Sequence, residues 1–288
     1  MRRTFITTIL GWILVSHPAV AQEQRIEARL PSGMIVTAAY YGGKPSQPAV
    51  VILHGFLQTR DFPTVANLAD ALAEAGYPVL TPTLSLGISR RARSLPCEAV
   101  HTHTMDQDLA ELAFWTQWLK NKGHKNIALI GHSFGSLQIL EYLARKPDPA
   151  VRRALLLSLT DVELTQAAAM REKTVRMLRE RIARGDRSLV ETEFGHCRKY
   201  VSPAAAVLSY AAITRGSILR ALSKATVPVE VIMGGKDDRM GRDWPDTLAA
   251  QGVSVSVIAG ANHFFDNQYE FDLSDAVLQG LSDRGAGR

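Results

Sequence analysis

Cysteine is nearly absent from this chain: 288 residues hold two, Cys97 and Cys197. No Cys-x-x-Cys pair and no zinc-like spacing occurs, so a cysteine-built metal domain and a disulfide-dense miniature fold are both excluded. Internal repeats and low-complexity tracts are missing too. Beyond the first twenty residues, no apolar run approaches the ~20 residues that a helix needs to cross a bilayer. A strong excess of charge is also lacking. The formal net charge is +5, and it falls to +3 without residues 1–21. Such a mildly basic chain gives no sign of nucleic-acid binding.

The amino terminus departs from this pattern. Met1-Arg2-Arg3-Thr4 is basic, Phe5 to Val15 is mostly apolar, and Ala19-Val20-Ala21 offers small residues before Gln22. That order predicts a signal peptide over 1–21 with cleavage after Ala21, hence a periplasmic or secreted protein. No cysteine follows the cleavage site to carry a lipid anchor. Residues 22–288 suffice for one domain with a core that needs no metal.

The rest of the chain is organised around Asn126 to Leu137 (Asn-Ile-Ala-Leu-Ile-Gly-His-Ser-Phe-Gly-Ser-Leu). Ile127 to Ile130 read as a buried strand, and Leu137, Leu140 and Ala144 recur at helical spacing as far as Pro147. Ser133 falls between the two. A sharp strand-to-helix turn leaves no room for side chains two residues either side, which gives Gly131 and Gly135 a steric role. Gly-x-Ser-x-Gly alone is a weak signal, and the flanking strand and helix make it specific.

Elsewhere strands and helices alternate. Arg25 to Leu30 and Met34 to Tyr41 suggest a hairpin about Pro31-Ser32-Gly33. Ala49 to Leu53 is a continuous apolar run, the mark of a strand buried on both faces, and it stops at His54-Gly55-Phe56-Leu57. A helix through Leu68, Leu72 and Ala75, a strand at Tyr77 to Leu80 and a helix through Leu109, Leu112, Trp115 and Leu119 follow. Strands at Ala154 to Leu159, Val227 to Met233 and Val253 to Ile258 come later, and Phe271 to Leu281 reads as a closing helix. The order predicts an α/β fold with a mostly parallel sheet, helices on both faces and a site at the strands' carboxyl edge.

Residues 161–224 interrupt this alternation. They read as helical, without a convincing core strand, and carry 12 positive and 7 negative charges, a net +5. They are expected to form an inserted helical lid, with 22–160 and 225–288 as the core. A solvated face explains the basic residues most simply. Weak attraction to an anionic membrane surface or substrate is the sharper expectation.

A serine hydroxyl needs a base within hydrogen-bond reach and an acid that fixes the base's tautomer. Ser133, Asp237 and His263 stand at strand ends, 104 and 26 residues apart. Asp238 is adjacent to Asp237 and Asp161 follows an earlier strand, so each is an alternative acid. His54 and His132 are expected to be structural. His101-Thr102-His103 with Asp106 and Asp108 has ligand-like residues, but a capped helix start at Thr104 accounts for this stretch without a metal.

In Gly-His-Ser-Phe-Gly, Ile-Met-Gly-Gly-Lys-Asp and Gly-Ala-Asn-His-Phe-Phe, which follow in this chain order, and in His-Gly-Phe at 54–56, the sequence resembles the α/β-hydrolase superfamily. The resemblance spans nearly all of residues 22–288. It implies nucleophile Ser133, acid Asp237, base His263, and an oxyanion hole built from the amides of Phe56 and Phe134, with Leu57 replacing Phe56 where the loop is shifted by one residue. It implies an acyl substrate, with a carboxylic ester or thioester favoured, and no cofactor. Serine at the elbow argues against the dehalogenases and epoxide hydrolases of similar architecture, which use aspartate there. A peptidase, an amidase, a carbon–carbon bond hydrolase or a non-catalytic binding protein stay open as alternatives. With the lid above the sheet edge, Cys97 and Cys197 should approach each other, and a disulfide between them is expected.

Overall fold

The computed structural model describes residues 22–145, 147–160, 168–237, 239 and 241–282. Strands β1 (Glu23–Arg29) and β2 (Ile35–Tyr41) form the expected hairpin. Then come β3 (Ala49–Leu53), α1 (Pro63–Glu74), β4 (Val79–Thr83), α2 (Met105–Asn121), β5 (Ile127–His132), α3 (Phe134–Arg145) and β6 (Val151–Leu157). After an insertion the chain resumes with β9 (Val229–Gly234), α7 (Trp244–Ala250), β10 (Ser254–Ile258) and α8 (Tyr269–Ser282). Eight strands form one sheet in the order β1-β2-β4-β3-β5-β6-β9-β10, antiparallel at β2 and parallel from β4 onward.

The burial pattern explains the apolar runs. Val51 and Leu53 of β3 pack on one face of the sheet with Trp115, Leu119 and Leu137, and Val50 and Ile52 pack on the other with Leu68, Leu72 and Val277. With helices on both sides, these strands cannot alternate apolar and polar residues. Truncating such a residue, for example Leu129→Ala, removes contacts on a fully enclosed face and should cost about 2–5 kcal/mol.

The chain moves outward from β3 to β4 and then returns to place β5 on the other side of β3. Loops leaving β3 and β5 therefore diverge at their carboxyl ends and open a crevice, the place where such sheets hold ligands.

The insertion contains α4 (Ala168–Ala183), β7 (Leu189–Phe194), β8 (Cys197–Pro203), α5 (Ala204–Ala211) and α6 (Arg215–Lys224). It departs from the wholly helical expectation at Leu189–Pro203, where β7 and β8 pair as a separate antiparallel hairpin. Gly195-His196 turns it, with Gly195 at φ +57°, a conformation that costs glycine little. Val190, Phe194, Cys197 and Tyr200 point inward and are buried, while the intervening charged residues face solvent.

Candidate active site

Ser133 leaves β5 at φ +55°, left-handed backbone that is strained for a side-chain-bearing residue. The turn is held by contacts only glycine permits. A Cβ on Gly131 would stand 2.5 Å from the carbonyl carbon of Gly135, and one on Gly135 would stand 2.6 Å from the carbonyl oxygen of His54. The turn therefore packs directly on the loop that follows β3.

His263 follows β10, and its Nε2 lies 2.9 Å from Ser133 Oγ. Its Nδ1 lies 2.7 Å from Asp237 Oδ2, on the loop after β9. The Asp237 and His263 side chains are almost fully enclosed, whereas Ser133 is partly open. A carboxylate acceptor at Nδ1 fixes the proton there and leaves Nε2 as the basic nitrogen facing the hydroxyl. Asp237 Oδ1 also accepts from the Arg239 amide at 3.2 Å, which restrains the carboxylate's rotation. The alternative acids Asp238 and Asp161 lie outside the described residues, as does the segment 1–21.

Two further side chains hold the histidine loop. The carbonyl of His263 accepts from His132 Nε2 at 2.9 Å and from Ser158 Oγ at 3.0 Å. Burial, reinforced by the His263 charge, pushes His132 down to about 3, so it serves as a neutral strut. Ser158 went unnoticed in the sequence, where it ends an apolar strand without any motif.

Phe134 opens α3, so its N–H has no carbonyl four residues back in the helix. Phe56 lies beside it, with ring centroids 5.2 Å apart. Over Phe56 sits the tip of the β7–β8 hairpin: the rings of Phe194, His196 and Tyr200 lie at 5.5, 5.3 and 6.0 Å. The insertion thus packs its aromatic residues against the loop that carries Phe56.

Cys97 and Cys197 form a disulfide with Cα atoms 5.3 Å apart. It fastens the hairpin to the loop before α2, beside a parallel bridge between Val100 and Val201. Both sulfurs are bonded to each other, so they are not available with His196 as thiolate ligands.

His101 and His103 are engaged in packing. The His101 ring stacks on Tyr200 at 4.2 Å, and His103 Nδ1 lies 2.6 Å from the Tyr210 hydroxyl. Thr104 caps α2 through a capping box with Gln107. Asp108 differs from a simple first-turn acid. It is buried and accepts from Tyr210 Oη at 2.6 Å and Gln138 Nε2 at 2.7 Å, joining α2 to α3 and α5.

A profile of the alpha/beta hydrolase family matches residues 50–271, and the chain belongs to that family. No curated protein matches the sequence. Among solved structures, Est1E from Butyrivibrio proteoclasticus is similar at TM-score 0.64 and 18% identity, covering 88% of this chain and 96% of its own. The alpha/beta hydrolase GrgF from Penicillium sp. sh18 gives 0.69 and 15%, covering 90% and 98%. A thioesterase domain from the curacin biosynthetic pathway gives 0.60 and 17%, covering 89% and 99%. At these identities the likeness is one of fold.

Proposed function

We propose that this protein is an exported serine hydrolase that cleaves a carboxylic ester or thioester through an acyl-enzyme on Ser133. The observation that carries the reading is the continuous hydrogen-bonded line from Asp237 through His263 to Ser133. His263 Nε2 takes the hydroxyl proton as Oγ attacks the carbonyl carbon, and Asp237 stabilises the resulting imidazolium. The amides of Phe56 and Phe134 meet the oxyanion. Imidazolium then protonates the leaving alkoxide or thiolate, and water activated by the same nitrogen releases the acid.

An ester suits this machinery because its leaving group departs without the strong protonation an amine requires. The solved thioesterase domain with the same fold is consistent with the thioester variant. Export rests on the character of residues 1–21. Lys173, Arg176 and Arg179 of α4 are exposed and favour, through charge, an anionic surface or substrate.

The test is a panel of chromogenic acyl esters and thioesters of increasing chain length, run with wild type and Ser133→Ala alongside fluorophosphonate labelling. Wild type should turn over at least one member and take the label, and Ser133→Ala should do neither. Equal labelling of the two proteins would move the nucleophile elsewhere.

A further inference from the structure

Arg91 lies on the loop after β4, is only 4% exposed, and appears in no catalytic motif. Its guanidinium bonds on one side to the turn that carries Phe56 and on the other to its own loop. Nη2 donates to the carbonyl of Gln58 at 2.7 Å and stands 3.0 Å from His54 Nε2. Nε donates to the Leu84 carbonyl at 2.6 Å and Nη1 to the Arg93 carbonyl at 2.9 Å, so the side chain is itself pinned.

The groups it holds bracket Phe56 on both sides. His54 Nδ1 donates to the Gly55 carbonyl at 2.9 Å, and its Nε2 accepts from the Leu84 amide at 3.1 Å as well as from Arg91. This arrangement requires one neutral tautomer. Burial and the Arg91 charge push His54 down to about 3, which keeps that tautomer present at neutral pH. Gly55 N donates to Gln58 Oε1, and Gln58 N donates to the Gly55 carbonyl, each at 3.2 Å. Between these anchors Leu57 sits at φ +58°, a left-handed conformation that leucine does not hold without support.

A buried guanidinium is costly unless its donors are met, and here they are met mainly by backbone carbonyls of the strained turn and its neighbours. Glu111 and Asp108 supply opposing charge nearby, and burial lowers Arg91 to about 10, which leaves it charged at neutral pH.

We propose that Arg91 is a positioning residue that fixes the 55–58 turn so that the Phe56 amide points at the developing oxyanion. The inference rests on the serine hydrolase reading above. An oxyanion donor contributes only where its direction is set before reaction, and losing one such donor costs about 10²–10³ in kcat. Misdirecting the donor should cost a part of that.

The experiment compares wild type with Arg91→Lys and Arg91→Ala on a chromogenic ester. It also measures inhibition by an aryl boronic acid, which forms a tetrahedral adduct at the serine, and by a planar product carboxylate. In Arg91→Lys, kcat should fall about 10- to 100-fold with KM nearly unchanged. Boronate affinity should fall by a similar factor while carboxylate affinity holds, and guanidinium ion at low concentration should restore part of kcat in Arg91→Ala. Wild-type kcat and boronate affinity in a folded variant, or a rise in KM alone, would overturn the proposal. Should both arginine variants fail to fold, His54→Leu removes the acceptor from the other side of the same contact. Undiminished kcat there would equally overturn it. Activity surviving Ser133→Ala would sink the hydrolase reading itself, a result distinct from any Arg91 outcome.

Discussion

Cys97 and Cys197 are joined across 100 residues of sequence, and the bond sits one residue from His196, whose ring lies 5.3 Å from that of Phe56. A covalent tie therefore ends beside the loop that carries Phe56. Reduction should lower the melting temperature, with about 4.7 kcal/mol as the upper figure for a loop of this length. It should also free the hairpin and shift chain-length preference more than it changes turnover of a small ester. Thiol titration under denaturing, non-reducing conditions, with melting curves and the ester panel before and after reduction, checks this. Two reactive thiols in the untreated protein would contradict it.

Gly135→Ala should be among the most damaging small substitutions in the chain. Its new methyl would meet backbone oxygens of His54 and Leu53 at 2.6 and 2.8 Å, and backbone cannot rotate away as a side chain can. A loss of about 1–3 kcal/mol or more is expected, together with loss of activity as the turn at Ser133 is pushed off the loop that follows β3. Gly42→Ala meets nothing within 4 Å and is the control, expected within about 0.5 kcal/mol of wild type. Denaturant unfolding of both variants reads the difference directly.

For the acid, Asp237→Asn should lower kcat by about 10⁴ because an amide at this position stabilises the wrong imidazole tautomer. Asp238→Asn should change it no more than a few-fold. Steady-state kinetics on a single ester ranks the two, and a reversed order would assign the role to Asp238.

Acid should destabilise the fold well above the pH at which ordinary carboxylates protonate. His54 and His132 are each held down at about 3 in the folded protein by burial, against 6.5 ordinarily. Between those values the unfolded chain binds protons that the folded chain refuses, so stability falls as pH falls. Each histidine contributes up to about 1.4 kcal/mol per pH unit. Glu111, raised by burial to about 7 from 4.5, has the opposite slope over part of that range and cancels about one histidine. Urea midpoints should therefore decline from about pH 6.5 to about pH 4.5, with a net slope near 1.4 kcal/mol per unit. His132→Asn should flatten that decline, and a midpoint constant across the range would refute the assignment.

Much of the site was written locally. Gly131 and Gly135 announce a turn whose geometry depends on residues within the same pentapeptide, and the apolar runs at Ala49 to Leu53 and Ile127 to Ile130 announce strands covered on both faces. Asp237 and His263 were readable because each directly follows an apolar strand, and a parallel sheet brings strand ends to one edge. The hairpin within 161–224 was less visible. Its charged outward residues mask the alternation of Val190 and Phe194, and Gly195-His196 was the one local cue to a turn.

The sequence by itself determined the core elements, their order and the position of Ser133 and His263 beyond the ends of strands, because those follow from short-range sterics and periodicity. Tertiary structure alone decided what surrounds them. Arg91 contacts His54 across 37 residues, Asp108 joins Tyr210 across 102, and Ser158 reaches the His263 carbonyl across 105. None of these partners shares a periodic pattern with the other. Each pairing exists because a buried polar group must find its hydrogen bonds among whatever the packed fold brings within reach.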